Sequence, residues 1–398
     1  MMRRFAVSIL TSFLVAGALV FAISGPASAA TITVTSGADS GPGTLRAAVA
    51  AAGAGDTIVF SPTLTIVELT SAEIVITQSV SIVGPGADIL TVRRSSAGGT
   101  PNFRLFKINA PSATVLMSGM TVTNGNQAAG GAVNITDAST VTITDLAFVS
   151  NEGDWAGALW QDNATLLIDR STFAYNTTNG GVACGYCNGG AIITNTGNVI
   201  IANSTLSNNQ AGDNGGAIKN TTNLTLLNTT IADNSANGFG GGLASYAFES
   251  QSLSMKNTLF SGNTSVVRSD QCDNDAAVPL LVNLNNFIAD GSCNYVRLTA
   301  SGSQTSPTGF LQGNPDIAAL AANGGSTQTN ALPSTSPAAG AGDPSTCSSS
   351  PISSVDQRGL IRPSACAIGA FEPVLNPPVT TTSPTTASAT PVIPAFTG

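Results

Sequence analysis

Apolar and polar residues follow a repeating pattern between residues 131 and 263. Each copy has a glycine next to small or aliphatic residues, then a polar run, then alternating apolar residues, then an asparagine. The glycines lie 26 residues apart, with one step of 33, and they are Gly131, Gly157, Gly190, Gly216 and Gly242. The closing asparagines keep nearly the same period and are Asn151, Asn176, Asn209, Asn234 and Asn263. A fixed period of this length predicts a solenoid.

Three apolar columns appear when the five copies are aligned on their asparagines. In chain order they are Val141, Leu166, Val199, Leu224 and Leu253; Ile143, Ile168, Ile201, Leu226 and Met255; and Phe148, Phe173, Leu206, Ile231 and Phe260. The first two columns lie two residues apart, which is the spacing of side chains on one face of a strand. Strands one repeat apart stack at about 4.8 Å, so each column predicts an apolar ladder inside a coil. Because parallel crossovers strongly favour the right hand, the pattern predicts an all-β fold, a right-handed parallel β-helix.

The recurrent glycines and asparagines are expected at the corners of this coil. Glycine can adopt positive φ or let two backbones approach closely. Asparagine tolerates left-handed dihedral angles and can hydrogen-bond to the asparagine of the copy above or below. Both residue types are therefore explained by the turns of the chain.

The mature chain divides into four segments. Residues 30–60 are expected to form an N-terminal cap, with a short helix from Gly43 to Ala52 and a strand from Thr57 to Phe60. A cap is needed because the end of a β-helix exposes its core and unpaired strand edges. The remaining segments are the β-helix over 61–304, a Gly-, Pro-, Ser- and Ala-rich C-terminal region over 305–373, and a Thr/Pro-rich tail over 374–398.

The N-terminus carries the features of a secretory signal. Two arginines precede an apolar run from Phe5 to Ile23, and Ala27-Ser28-Ala29 supplies small residues for cleavage. We predict a signal peptide over residues 1–29 and a secreted or cell-surface protein, with an uncleaved N-terminal anchor as the alternative. No later stretch is long and apolar enough to span a bilayer.

Charge narrows the choice of partners. The chain has a net charge of −8, and only 9% of its residues are charged. Nucleic acid is therefore not expected as a partner, because binding it requires a basic surface.

Six cysteines in an exported protein predict disulfide bonds. The expected pairs are Cys272 with Cys293, Cys347 with Cys366, and Cys184 with Cys187. A redox or metal role is the alternative for the last pair, which has Cys-x-x-Cys spacing, but the sequence has no histidine and no second such pair. Structural bridging is the prediction, and no metal or cofactor is expected.

Both ends of the mature chain resemble one family. The first match is Ala-Asp-Ser-Gly-Pro-Gly-Thr-Leu-Arg at residues 38–46, followed by residues 55–60. The C-terminal matches lie at residues 323–329, 332–333, 336–338, 356–359, 362–363 and 368–372. On these residues the chain resembles bacterial secreted right-handed β-helix repeat proteins with a choice-of-anchor Q domain, although residues 339–343 depart from the family's usual Ile-Asp-Ala-Gly segment. The resemblance implies a secreted or surface protein and no defined reaction.

An enzyme is the main alternative, because β-helices often carry polysaccharide lyases and hydrolases. A lyase needs a base near a calcium site of aspartates, and a hydrolase needs positioned carboxylates. The best candidates are Asp154, Asp162, Asp169 and Arg170, which occupy different columns of the repeat. Arg170 lies one rung from Asp145, so a solvated cross-strand ion pair is expected there. We predict no catalytic site; the alternative is a calcium-dependent polysaccharide lyase or glycoside hydrolase acting in a groove along the solenoid.

A second acidic cluster, Asp270, Asp273 and Asp275, flanks Cys272. It could bind calcium, but it lacks the ordered ligand spacing of a known calcium loop. A plain acidic loop without metal is therefore the prediction.

Five polar aromatic residues are the candidate ligand-binding residues: Trp155, Trp160, Tyr175, Tyr186 and Tyr246. Exposed rings in a row can stack on sugar faces. The alternative is that they cover loop edges. The sequence thus predicts a β-helix protein with an adhesive, glycan-binding or structural role, and an extracellular polysaccharide or the cell wall as its partner.

Overall fold

Each repeat of the sequence folds into one turn of a right-handed parallel β-helix, so the predicted fold class is confirmed. The computed structural model describes residues 29–137, 140–178, 188–246, 251–268, 270–274, 278, 280–293 and 310–374. One regular turn contains four short strands, β10 (Val133–Thr136), β11 (Thr140–Thr144), β12 (Ala147–Val149) and β13 (Glu152–Gly153). The next turn begins with β14 (Leu159–Asp162), which pairs in parallel with β10.

Strands of successive turns stack into four sheets, which we number 1 to 4. Sheet 1 contains β1 (Thr31–Val34), β2 (Asp56–Phe60), β5 (Val80–Val83), β8 (Thr114–Ser118), β11, β15 (Ala164–Asp169), β19 (Gly197–Ala202), β23 (Asn223–Leu227), β27 (Leu253–Lys256) and β31 (Leu280–Leu284). Sheet 2 contains β4 (Ile74–Ile76), β7 (Phe106–Asn109), β10, β14, β18 (Ile192–Thr194), β22 (Ile218–Asn220), β26 (Leu243–Ser245) and β30 (Cys272–Asn274). Each turn passes through sheet 2 before it reaches sheet 1.

The chain then crosses to the other two sheets. Sheet 3 contains β3 (Ile66–Leu69), β6 (Thr91–Arg94), β9 (Thr121–Thr123), β12, β16 (Thr172–Ala174), β20 (Thr205–Ser207), β24 (Thr230–Ala232), β28 (Leu259–Ser261), β32 (Asn286–Ile288) and β33 (Phe310–Leu311). Sheet 4 contains β13, β17 (Thr177–Thr178), β21 (Gln210–Ala211), β25 (Ser235–Ala236) and β29 (Thr264–Ser265). Outside the coil, β34 (Leu320–Ala321) and β35 (Thr329–Asn330) form an antiparallel pair.

The three predicted apolar columns form the core. Val141, Leu166 and Val199 are partners in consecutive strands of sheet 1, and all three are buried. In sheet 3, the rings of Phe148 and Phe173 stack with centroids 4.6 Å apart. The columns are therefore continuous ladders, as the sequence predicted.

The recurrent glycines are needed for close approach of the backbone rather than for positive φ. A Cβ at Gly131 would overlap the carbonyl oxygens of Glu152 and Gly157. Positive φ falls one residue earlier, for example at Gly130 (φ 74°) and at Ala156 (φ 59°). Of the two explanations that the sequence left open, close packing between rungs is the correct one.

The closing asparagines form a buried side-chain ladder. The Nδ2 of Asn151 donates to Oδ1 of Asn176 at 3.0 Å, and the same contact links each asparagine to the next, down to Asn263. The predicted left-handed dihedral was placed wrongly, since it belongs to the preceding residue, for example Ser150 (φ 53°). That residue turns the corner, and the asparagine then points inward, where its amide needs a partner.

The N-terminal cap contains the predicted helix as α1 (Leu45–Ala51). Thr44 is its N-cap residue, because the Ala47 N–H donates to its hydroxyl at 3.2 Å. Leu45 and Ala48 are buried in the core, so the helix covers the apolar end of the coil. No helix in the described part of the chain could cross a membrane.

The C-terminal region, residues 310–374 in the structure, packs on the outside of sheet 3. The Oγ1 of Thr172 donates to the Gln328 carbonyl at 2.5 Å, and the Ala370 N–H donates to Oγ1 of Thr230 at 2.9 Å. Arg362 lies beneath this region, where it donates to Oδ1 of Asn203 at 3.2 Å. A second helix, α2 (Pro344–Ser348), belongs to the same region.

Two of the predicted disulfide bonds are confirmed. They are Cys272–Cys293 and Cys347–Cys366. The third predicted pair, Cys184 and Cys187, lies outside the described residues.

Candidate functional site

Sheet 2 presents one column of side chains on the outside of the coil. In β14, Leu159 and Gln161 are buried, so Trp160 between them points outward. The strand register places eight residues in this column: Val75, Lys107, Asn134, Trp160, Ile193, Lys219, Ala244 and Asp273. We call the part of this column from Trp160 to Asp273, with the flanking residues Trp155, Asp213, Asn214, Phe239, Tyr246 and Arg268, the sheet 2 face.

The two tryptophans form one aromatic platform at the lower part of this face. Their ring centroids are 5.1 Å apart, and the rings are tilted by 41°. Trp155 lies at the corner between sheets 4 and 2, where its backbone N–H donates to the Ala128 carbonyl at 2.6 Å. Trp155 is 42% exposed, and Trp160 is half-buried. The two rings therefore pack against each other, and one of them is open to solvent.

Cationic, aromatic and acidic side chains alternate two to four rungs further along. The Lys219 Nζ lies 3.1 Å from the ring centroid of Tyr246. The Tyr246 hydroxyl donates to Oδ2 of Asp273 at 3.0 Å, and Arg268 Nη1 pairs with Oδ1 of the same carboxyl group at 3.2 Å. The Arg268 guanidinium also lies 4.8 Å from the Phe239 ring. These contacts fix the orientation of every side chain in the group.

Burial changes the protonation behaviour of this group. It raises the pKa of Asp273, an effect that the hydrogen bond from Tyr246 opposes and that nearby Asp270 strengthens. Burial also raises the pKa of Asp213, against the effect of Lys219. The pKa of Tyr246 is raised by burial and by Asp273, so its phenol stays protonated and acts as a donor.

Three of the five aromatic candidates lie on the sheet 2 face: Trp155, Trp160 and Tyr246. Tyr175 does not, because it occupies the corner between sheets 3 and 4, with φ 56° and 48% exposure. Tyr186 lies outside the described residues.

The four catalytic candidates are not gathered in one place. Asp154 is exposed beside Trp155, whereas Asp162 accepts a 2.7 Å hydrogen bond from Thr196 Oγ1 at the corner between sheets 2 and 1. Asp169 and Arg170 lie at the corner between sheets 1 and 3. These side chains therefore occupy three separate parts of the surface.

The predicted cross-strand ion pair of Arg170 and Asp145 is present, and its side chains are 28% and 33% exposed. Arg170 contacts Asp145 at 2.8 Å and Asp169 at 2.6 Å, and Thr327 of the C-terminal region donates to the Arg170 carbonyl. Burial raises the pKa of Asp169 to about 6; Arg170 opposes this shift, and Asp145 adds to it. Asp169 is the buried member of this corner, with a side chain 9% exposed, and the repeat alone could not reveal that.

The prediction of a plain acidic loop around Cys272 is wrong, because two of its carboxyl groups are buried. Asp273 belongs to β30 and is only 6% exposed. Asp270 is 3% exposed, and the Gly240 N–H and the Ser265 hydroxyl donate to its carboxyl group. Asp275 lies outside the described residues. Within the described ranges, no group of three or more metal-ligating side chains is arranged to hold a metal ion.

Sequence reasoning missed Lys219, Asp213, Asp273 and Arg268 as members of a site with the tryptophans. The signal that could have identified two of them is the register, since Lys219 and Asp273 share the outward column of Trp160. The steps along this column are unequal, because the repeats contain insertions. Counting a constant period therefore loses the alignment after Trp160, since the step to Ile193 is 33 residues.

An open groove of about 610 Å³ lies at the corner between sheets 2 and 1. It is lined by Pro111, Ser112, Asp137, Asn163, Ala164, Thr165, Gly197 and Asn198. Among the described residues that line this groove, Asp137 carries the one carboxyl group.

Comparison with known proteins adds one structural similarity. The chain matches no model of a protein family and no curated protein. It is similar to the crystal structure of pectate lyase Pel9A, with 15% sequence identity, coverage of 88% of this chain and 98% of that chain, and a TM-score of 0.38. A similarity of this size carries no argument about activity. Fold and site together define a parallel β-helix protein with one open aromatic face, and the choice-of-anchor Q resemblance stays a prediction.

Proposed function

We propose that the protein binds a glycan on the sheet 2 face, as a secreted or cell-surface β-helix protein. The observation that carries this proposal is the fixed pair of tryptophans, one of them 42% exposed, beside a row of polar side chains. Sugar rings have apolar faces that pack on aromatic rings, and their hydroxyl groups pair with polar side chains at the edge. The sheet 2 face supplies both kinds of contact within a few rungs.

The proposed location rests on separate support. The described residues contain two disulfide bonds, and such bonds persist in oxidising compartments. The signal peptide predicted over residues 1–29 agrees with export, and mass spectrometry of the protein's N-terminus tests the expected cleavage after Ala29.

Retention on insoluble polysaccharides tests the binding function. The purified protein is expected to stay on at least one polymer, and Trp155→Ala and Trp160→Ala are each expected to weaken retention about tenfold. Tyr175→Ala is the matched control, because it removes an exposed aromatic ring from a different corner. Equal retention of all three variants would place binding elsewhere on the molecule.

Cleavage of a polysaccharide on the same face is the second candidate function. It is favoured by Asp213 and Asp273, two carboxyl groups of this face whose pKa values are raised by burial, since a carboxyl group acts best as a general acid when its pKa is shifted toward the working pH. Incubation with polysaccharides, with and without calcium, should then give new reducing or unsaturated ends that disappear in Asp273→Asn. The sequence-based candidates, Asp169 and Arg170, are tested by the same assay.

A further inference from the structure

We infer that the ligand is an extended polysaccharide without net charge, whose chain runs parallel to the solenoid axis. This inference rests on the proposed function and specifies its ligand. It follows from the shape of the sheet 2 face and from the balance of positive and negative side chains on it.

The shape of the face favours a ligand along the axis. The strands of sheet 2 are three or four residues long, so the face is roughly 10–13 Å wide across the strands. Along the axis, the face from Trp160 to Asp273 spans four rungs, or roughly 19 Å. A chain lying across the strands would meet one group of side chains and leave the others without contact.

The functional groups are also spaced along the axis. Trp160 and Lys219 are two rungs apart, and so are Lys219 and Asp273, which corresponds to roughly 10 Å in each case. Tyr246 fills the gap between the last two, since it contacts both. A ligand that stacks on the tryptophans and continues in one direction therefore meets Lys219 and then Tyr246, whose hydroxyl is held by Asp273.

Charge favours a neutral chain. On the upper half of the face, Lys219 lies against the Tyr246 ring and Arg268 pairs with Asp273, so these cations are already engaged by the protein. Asp213 adds a second carboxyl group there, and the whole chain carries a net charge of −8. Two cations and two carboxyl groups therefore balance on this half, so a uronate carboxylate finds no excess of positive charge there, whereas sugar hydroxyls can donate to the Asp213 carboxyl group.

Lys107 provides the discriminating test. It lies two rungs from Trp160 on the other side of the aromatic pair, and it is the outward cation of that end of the column. An acidic polysaccharide that stacks on Trp160 would pair with it, but a neutral polysaccharide has no charge to offer. Lys107→Gln should therefore weaken binding only if the ligand is acidic.

The experiment compares neutral polymers (β-glucan, mannan and xylan) with acidic polymers (polygalacturonate and alginate) at low and high salt. We expect retention on a neutral polymer that is insensitive to salt, a loss of about threefold for Asp213→Asn, and a change under about twofold for Lys107→Gln. The inference is overturned by retention on acidic polymers alone, decreasing with salt and with Lys107→Gln and increasing with Asp213→Asn. The proposed function itself fails in a different way, if no polymer retains the protein or if Trp160→Ala has no effect.

Discussion

Sheets 2 and 3 belong to the same coil, yet their outer surfaces have different surroundings. On sheet 3, the outward threonines Thr172, Thr205 and Thr230 all hydrogen-bond to the C-terminal region that covers them. On sheet 2, the outward Trp160 is half-buried beside the exposed Trp155, and the polar members of the sheet 2 face contact each other. The repeat therefore builds equivalent faces, and the segment that follows the coil decides which face stays accessible for binding.

The covered side is held by charges with little access to water. The Arg362 side chain is inaccessible to solvent and pairs with Glu372 at 3.0 Å, and Arg358 pairs with Asp356 at 2.6 Å. Burial lowers the pKa of Arg362, and Glu372 opposes that shift. On the open side, Arg268 pairs with Asp273, and the Arg268 side chain is 39% exposed. Stability is thus expected to depend on the covered side and binding on the open side.

The largest effect is expected for Arg362→Met. The guanidinium donates to Glu372, to the Gly369 carbonyl and to Asn203, so its removal leaves buried acceptors and an unpaired carboxylate. We expect a loss of about 3–5 kcal/mol in the free energy of unfolding, measured by urea denaturation.

Arg93→Met is the control for this substitution, since the pair of Arg93 and Glu68 is 43% and 33% exposed. It should cost under about 1 kcal/mol. If the two variants lose the same free energy of unfolding, the buried ion pair of the covered side contributes no more to stability than an exposed one.

A smaller loss is expected for Asn209→Ala. This residue lies in the asparagine ladder beside sheet 3, where it donates to the Phe173 carbonyl and accepts from Asn176. Removing it leaves buried groups unpaired, so the free energy of unfolding should fall by about 1–3 kcal/mol. Asn198→Ala removes an exposed amide in sheet 1 and should change stability by less than about 0.5 kcal/mol. Equal losses of unfolding free energy would mean that burial of the asparagine ladder does not determine its contribution to stability.

The covered side should also respond to pH through Asp169. Its pKa is raised to about 6 in the folded protein, against 3.8 for the unperturbed group, so the folded state binds the proton more tightly. The wild-type protein should therefore gain stability as the pH falls from 6 to 4, on the order of 2 kcal/mol from this group, and Asp169→Asn should lose that gain. Urea denaturation across this pH range measures this gain in stability, with Asp154→Asn as an exposed control. A wild-type pH profile in Asp169→Asn would refute the assignment.

The smallest effect on stability is expected on the open face. Trp155→Ala removes a ring that is 42% exposed, and the free energy of unfolding should change by about 0.5 kcal/mol or less, while glycan binding falls. Thermal unfolding and retention on the same polymer measure both quantities on one sample. A large loss of stability would show that the tryptophans serve packing and not binding.

The architecture could be predicted from the sequence because the interior of a solenoid is periodic. The column from Val141 to Leu253 and the disulfide of Cys347 with Cys366 required only local spacing, and both are as predicted. The cover could not be foreseen in this way, since Gln357 meets Thr172 across 185 residues of sequence. No periodicity connects those two positions.

The site was predicted in part for a related reason. The chain contains two tryptophans, and their rarity in the composition identified them as candidate binding residues. Lys219 and Asp273 became visible as partners only through the strand register, which the unequal steps of the repeat conceal. Composition can single out a residue type, but the side chains around it follow from the register.

Tryptophan fluorescence offers the most direct measurement, because Trp155 and Trp160 are the two tryptophans of the chain and both lie on the sheet 2 face. The protein would be titrated with soluble oligosaccharides prepared from the neutral polymer that retains it. We expect a saturable change in emission that Trp160→Ala weakens and Tyr175→Ala leaves intact. Retention on the polymer without any change in emission would contradict binding at this face.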